Sequence, residues 1–240
     1  MSFVSAQASR VAVGLLNASG YARGYNLTAA TAALDTTVLS DRAKTFIIGQ
    51  DESSGSLDML FDTVGTTNLQ YSALTAQKAT GPYPLTLCPD GFTTGQVAVM
   101  VNAHLGNFTG VAPVADVVTC SAAFQSTGNF DVGTVLEDFT AITTTGNGTA
   151  RDGAAASANG GVAHLHVSAF SGLTSDTITI EHSVDGSTSW ATLVTFTAAT
   201  AATSQRVEVA AGTTVRRYLR VVDTVVGTGS ATRFVSFARR

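Results

Sequence analysis

Apolar side chains recur at every second position along most of this chain, a spacing that commits it to β-strands. Val97, Val99, Val101, Ala103 and Leu105 fall on one face of such a strand. Leu57, Met59 and Phe61 share a face of another, with Asp58 and Asp62 opposite. Ile178 and Ile180 alternate with Thr177, Thr179 and Glu181, Val207 and Val209 flank Glu208, and Val235 and Phe237 close the chain. Turn-forming pairs separate the runs: Gly81-Pro82, Asp90-Gly91, Gly160-Gly161 and Asp185-Gly186. One segment departs from this pattern. Asn68 to Ala79 holds good helix formers and no Gly or Pro, with Thr66 or Thr67 as a cap and Gly81 past its end. It predicts one short α-helix laid across a sheet.

Only 12% of the residues are charged, against about 25% in an average soluble protein. Hydrophobic residues make up 45%, yet no apolar run reaches the ~18 residues of a membrane span, so no membrane insertion is expected. A surface of Thr, Ser, Ala and Gly loses little when it is covered, because few ions are stripped of water. Depletion of charge marks the buried centre of an interface. The composition therefore predicts a β-rich subunit packed against copies of itself or partners.

The net charge is −4 and is unevenly spread: residues 1–140 hold 5 basic and 11 acidic groups, residues 141–240 hold 8 and 6. This balance argues against binding nucleic acid by phosphate neutralisation. The break coincides with a Gly-, Ala-, Ser- and Asn-rich stretch from Thr143 to Gly161. Together they predict a first domain over 1–142, a linker over 143–156 and a second β domain over 157–240. The segment from Met1 to Arg10 lacks the basic start and apolar core of a secretion signal. Folding in a cytoplasm is expected, with Cys88 and Cys120 as thiols.

Few residues suggest chemistry. His164 and His166, two apart on a strand, point to the same face and form a workable pair of metal ligands. No third ligand is evident, and the plainer reading has Leu165 and Val167 facing the core and both imidazoles facing water. Ser183 to Trp190 follows a strand and contains the only tryptophan. Its Asp185-Gly186 turn and Trp190 suit either a sugar contact or a hairpin with a packed indole. Arg216, Arg217, Arg220, Arg233, Arg239 and Arg240 cluster near the end, to contact phosphate, a lipopolysaccharide or an acidic neighbouring subunit, or simply to form a solvated strand face. No serine sits in a nucleophile-elbow pattern, and the phosphate-loop and dinucleotide glycine patterns are absent. Neither a catalytic residue nor a cofactor is expected.

Two stretches resemble known families. Leu34-Asp35-Thr36-Thr37-Val38-Leu39, running on through Ala43-Lys44-Thr45-Phe46-Ile47-Ile48-Gly49 to Gly55-Ser56-Leu57-Asp58-Met59-Leu60-Phe61-Asp62, resembles the major tail tube proteins of long-tailed bacteriophages. Met59-Leu60 stands where that family has a small residue or glycine before Phe-Asp. The predicted helix and the strands from Val117 to Phe124 and Phe130 to Gly133 resemble the same family, so the similarity spans residues 10 to about 140. It implies a mainly β fold, a β-sandwich or half-barrel with one short α-helix. Subunits of that family join edge to edge into hexameric rings stacked into a tube around the tape measure protein, with tail terminator and distal tail proteins as further partners. The tube passes DNA without binding it specifically, and the negative first half suits a lumen that repels DNA. The resemblance places Thr36, Leu39, Asp41, Lys44, Phe46 and Ile48 in an arm reaching the next ring. It implies a structural virion protein, not an enzyme, assembled in the host cytoplasm.

The second stretch, Ile178 to Trp190 followed by Arg217-Tyr218-Leu219-Arg220-Val221, resembles galactose-binding-like jelly-roll modules, with Ser189 inserted before the tryptophan. It implies a C-terminal β-sandwich on the tube exterior, with Asp185 and Trp190 as contacts for host-surface glycans. The alternative is a capsid decoration or baseplate protein with a carbohydrate-binding module.

Overall fold

The computed structural model describes residues 6–39, 42–61, 81–114, 116–128 and 130–240. Among them the chain is mainly β, as its alternation predicts. In chain order the strands are β1 (Arg10–Val13), β2 (Leu16–Asn17), β3 (Ala22–Asp35), β4 (Phe46–Leu60), β5 (Tyr83–Cys88), β6 (Val97–Val111) and β7 (Thr119–Ser126). They continue with β8 (Asp131–Ile142), β9 (Gly146–Asn147), β10 (Arg151–Asp152), β11 (Gly161–Ser183), β12 (Ala191–Thr195), β13 (Thr203–Val209) and β14 (Tyr218–Arg239). The described helical content is two single 3-10 turns, Ala6–Ala8 and Ala18–Gly20. The α-helix predicted over 68–79 lies outside the described residues.

β6 is the spine of the first half. β5 pairs along one side of it, Tyr83–Leu87 against Val99–Ala103. β8 and then β7 follow one another along the other side. β7 carries β4, and β4 carries β3 in a long hairpin. Alternate residues meet in one core: Leu57 and Met59 from β4, Leu85 and Leu87 from β5, Val101 and Leu105 from β6, and Phe124 from β7. Gly55 is required where the hairpin crosses this core. A Cβ there would lie 2.2 Å from the Asn26 carbonyl oxygen and 2.6 Å from the Phe124 ring.

The second half is built on one doubled ribbon. β11 and β14 pair from Gly161↔Arg239 to Ser183↔Tyr218, with register slips between Val167 and Ser175. Gly172 and Gly227 adopt φ values of 74° and 99° beside those slips, a region that glycine reaches without steric cost. A Cβ on Gly229 would lie 2.0 Å from the Ser171 carbonyl oxygen. The ribbon bends at these bulges, and its two halves face each other. Leu165, Val167, Val235 and Phe237 from one half meet Ile178, Ile180, Leu219 and Val221 from the other. β8 and β13 widen the first layer of this sandwich, and β12, β9 and β10 widen the second. The stretch 143–160 thus lays two short strands along β14.

A third core joins the halves. Ala12, Cys88, Phe92, Ala98, Met100, Val135, Val162, Phe234 and Ala238 pack there. The rings of Phe92, Phe139 and Phe234 stand 4.9, 5.1 and 5.3 Å apart, within the range of favourable aromatic pairs. Strands passing this junction are buried on both faces, so their outward-facing alternates are as dry as the core. Met100 is as buried as Val101, and Phe234 as Val235. Val97, at the start of β6, is exposed instead.

Candidate assembly surface

β3, β4, β7 and the distal part of β6 form a four-stranded antiparallel sheet in that order. Both of its edges are open among the described residues. β3 pairs with β4 alone, and β6 beyond Ala103 pairs with β7 on one side while β5 has already ended on the other. An open edge offers a row of unpaired backbone donors and acceptors to another chain.

The β3–β4 hairpin outruns the sheet. The last β4–β7 pair is Ser54↔Gln125, whereas β4 begins at Phe46. The overhang, residues 46–53, is eight residues, roughly 26 Å at the rise of a strand. Paired residues hold it together at Thr31↔Asp51, Ala33↔Ile48, Leu34↔Ile47 and Asp35↔Phe46. The Thr31 hydroxyl donates to Asp51 Oδ1 at 2.6 Å, and Thr36 N donates to the Thr45 carbonyl at 2.9 Å. The hydroxyl and amide of Thr37 hold the Asp35 carboxyl below its ordinary pKa. Thr36, Leu39, Lys44, Phe46 and Ile48, named from the sequence as arm residues, all lie in this exposed overhang or its turn. Asp41 lies outside the described residues. Leu34, Val38, Leu39, Phe46, Ile47 and Ile48 are exposed apolar side chains there.

The sheet face turned away from the core carries Asn26, Thr28, Ser56, Ser121, Gln125 and Thr109, with Glu52 and Asp58 as its carboxylates. The negative charge of the first half does not gather on this face. Asp131 pairs with Arg206 and Arg240, Glu137 lies 3.8 Å from Arg233, and Asp35 and Asp51 lie on the arm. Folding draws β8 against the arginine-rich second half and uses up part of the charge asymmetry seen along the chain.

His164 and His166 do share one face of β11, and Leu165 and Val167 do face the core. The imidazoles do not face water, however; both are fully buried at the junction of the halves. The partners fix their protons. His166 Nδ1 stands 2.8 Å from the Gly14 carbonyl oxygen, which only accepts, so Nδ1 carries a hydrogen. In a neutral ring Nε2 is then an acceptor, and the Thr86 hydroxyl donates to it at 2.9 Å. Thr86 Oγ1 in turn accepts from His164 Nδ1 at 3.0 Å. His164 Nε2 is buried without a partner among the described residues. Burial pushes His166 down to about 4. It holds His164 well below its ordinary value too, with His166 and Arg206 adding to the effect. No group of three metal-ligating side chains occurs among the described residues.

The Ser183–Trp190 loop is held by itself. Asp185 accepts from the amides of Ser187 and Thr188 at 3.0 and 2.8 Å and from the Ser183 and Thr188 hydroxyls. These bonds lower its pKa strongly, the Thr188 hydroxyl first. Arg220 lies over the Trp190 ring, 4.2 Å from its centroid, and forms an ion pair with Glu181. The arginine cluster is likewise spent inside the chain. Arg217 grips Asp152 at 2.7 and 2.5 Å, and Arg240 grips Asp131 at 2.8 and 3.0 Å. Arg239 donates to the carbonyls of Ala155, Arg216 and Arg217. Cys88 and Cys120 are both buried free thiols, and burial raises Cys88 to about 12.

Two features escaped the sequence reading. Asp176 is a fully buried carboxylate with no hydrogen-bond partner among the described residues, beside the buried Arg233–Asp223 ion pair. Isolated acids in Thr-rich strands give no signal of this. The second is an exposed apolar turn between β6 and β7, with Val111, Val114, Val117 and Val118. Four valines within eight positions were its visible mark.

No family model matches the chain, and no curated protein matches it. Among solved structures the chain is similar to a protein in the virion of a native gene transfer agent particle, at 12% identity and a TM-score of 0.42 over 53% of this chain and 97% of that one. It is also similar to the SPP1 tail tube protein, at 12% identity and a TM-score of 0.41 over 52% of this chain and 77% of that one. The SPP1 Dit protein, described as a hub of the adsorption apparatus in phages infecting Gram-positive bacteria, is similar at 10% identity and a TM-score of 0.37, over 96% of this chain and 99% of that one.

Proposed function

We propose that this chain is a structural subunit of a long-tailed bacteriophage tail, and within it the major tube protein. One observation carries the reading: a four-stranded sheet with two open edges and an apolar arm that outruns it. A monomer that kept such edges bare would invite uncontrolled pairing. Closing them on identical neighbours makes a ring and removes every edge. The sequence resemblance falls on the same strands and on the same arm.

In this reading residues 1–142 build hexameric rings that stack through their arms, and the sandwich of residues 157–240 lies outside the tube. The polar sheet face, with small hydroxyl and amide side chains and two carboxylates, lines the channel. Most of this wall is uncharged and polar, with Arg23, Leu60 and Val111 confined to the end near Thr119, so it holds DNA weakly. The tape measure, tail terminator and distal tail proteins are the partners, and no catalytic step is involved. The buried Thr86–His164–His166 network serves the junction between tube part and outer module. Negative-stain images of the concentrated protein test the proposal. Rings or cylinders are expected, and a field of single particles at every concentration would overturn it.

A further inference from the structure

The two layers of the sandwich enclose a cavity of about 460 Å³ beside β10, within the range of about 300–1,000 Å³ usual for small-molecule sites. Thr134, Leu136, Phe237 and Arg239 line it from the first layer, and Arg151 and Leu219 from the second. Leu136, Leu219 and Phe237 belong to the sandwich core, so much of the wall is apolar. The strand register directs a cation into this space. Arg151 pairs with Leu219, and residues directly opposite each other put their side chains on the same face of a sheet. Leu219 faces the core, so Arg151 does too. Its Nε is buried and has no hydrogen-bond partner among the described residues, which is costly for a charged donor. The neighbouring charges are engaged elsewhere. Asp152, next to it on β10, is gripped by Arg217 at 2.7 and 2.5 Å. Arg239 gives Nη1 and Nη2 to the carbonyls of Ala155, Arg216 and Arg217. Glu137 feels the charge of Arg151, but the arginine beside its carboxylate is Arg233, 3.8 Å away.

We propose that this cavity binds a small amphiphilic monocarboxylate, with its apolar part among Leu136, Leu219 and Phe237 and its carboxylate on Arg151. The Nε edge of a guanidinium presents two parallel donors that match the two oxygens of a carboxylate. An uncharged ligand of the same shape leaves Arg151 Nε unpaired. A dianion such as a phosphate ester fits less well, because Glu137 repels the second charge while Arg239 has its donors engaged. The apolar walls accept a chain or a ring and reject a second polar end. The site uses neither the open sheet edges nor the arm, so it stands or falls independently of the tube reading.

Titration of the full chain with octanoate, followed by calorimetry and by backbone amide shifts, tests this. One octanoate per chain is expected, with shifts gathered at residues 132–136, 150–153 and 237–239, which line the cavity. 1-Octanol, the same chain without the charge, is expected to bind about tenfold more weakly. Arg151→Met should abolish that preference, so that both probes bind alike, and Arg151→Lys should keep part of it. Thr134→Trp, at an exposed position on the cavity wall, fills the opening and should abolish binding of both. Thermal unfolding of each variant confirms that it is folded. Equal binding of octanoate and octanol to the parent chain would overturn the proposal, and that comparison needs no variant. Unchanged octanoate affinity in folded R151M would overturn it as well. So would shifts gathered on the exposed apolar residues of the arm instead of the cavity, or neither heat nor shifts at millimolar octanoate.

Discussion

Arg233 and Asp223, ten positions apart on β14, face each other in a buried bidentate ion pair, with Arg233 Nε 2.6 Å from Asp223 Oδ1 and Nη2 bonded to Oδ2. The bend in the doubled ribbon brings these two positions together. Arg233 is 1% exposed and is also the cation nearest Glu137, whose carboxylate stands 3.8 Å away. Replacing it by methionine keeps the length of the side chain but leaves Asp176 and Asp223 without a counter-ion and Glu137 with only Arg151. Arg233→Met should cost about 3–5 kcal/mol at pH 8, and less at pH 5, where protonation relieves the upward-shifted carboxyls of Asp176 and Glu137. Urea midpoints at the two pH values measure both effects.

Asp176 supplies the opposite sign. Burial pushes its pKa from 3.8 to about 6, with the Asp223 charge adding to the shift and Arg233 opposing it. Between those values the folded chain holds a proton that the unfolded chain has released, so stability falls as the pH rises through that window. Asp176→Asn removes the charge. The variant should be more stable than the parent by about 2 kcal/mol at pH 8 and should lose that advantage near pH 4. Parallel denaturation curves at both pH values decide it.

The junction histidines respond to acid. His166 titrates at about 4 in the fold and near 6.5 once unfolded, so the unfolded state binds the extra proton between these values. Stability is complete above pH 6.5 and declines toward pH 4 by about 3 kcal/mol. Thr86→Val leaves His164 Nδ1 and His166 Nε2 without their common partner and should cost about 1–3 kcal/mol at pH 7. Thr86→Ser, which keeps the hydroxyl, should cost less. Thermal unfolding of the three chains across pH 4–7 checks both statements.

Arm substitutions should separate folding from assembly. Leu39 and Ile48 touch no core. Leu39→Asp and Ile48→Asp should change stability by less than about 0.5 kcal/mol yet abolish stacking, because each buries a charge in the contact. Calorimetry and sedimentation of the same samples read the two quantities side by side.

The strands were legible because one face of most of them is wet. Leu57 and Met59 against Asp58, and Ile178 and Ile180 against Thr179, show the alternation directly. It fails where a third layer covers the second face: His164 and His166 look like surface residues until β5 and Gly14 are laid over them. The doubling of β11 and β14 was hidden for another reason. The bend is made by Gly172, Gly227 and Gly229, and a glycine in a strand reads equally well as a turn. The resemblance marked the stretch from Thr36 to Ile48 without showing that it would be a paired hairpin, because Thr, Lys and Ile there follow no clear alternation. The fate of the arginines was not legible, because their partners Asp131 and Asp152 lie 65 to 109 positions away.

The central claim is that the open edges of β3 and of β6 beyond Ala103 are closed by identical neighbours. Hydrogen–deuterium exchange of the assembled and dissociated protein measures it strand by strand. The account predicts that edge amides of β3 and of the segment 104–111 exchange quickly in the dissociated chain and become protected on assembly, with β4 and β7 little changed. Edge amides that exchange equally fast in both states would contradict it.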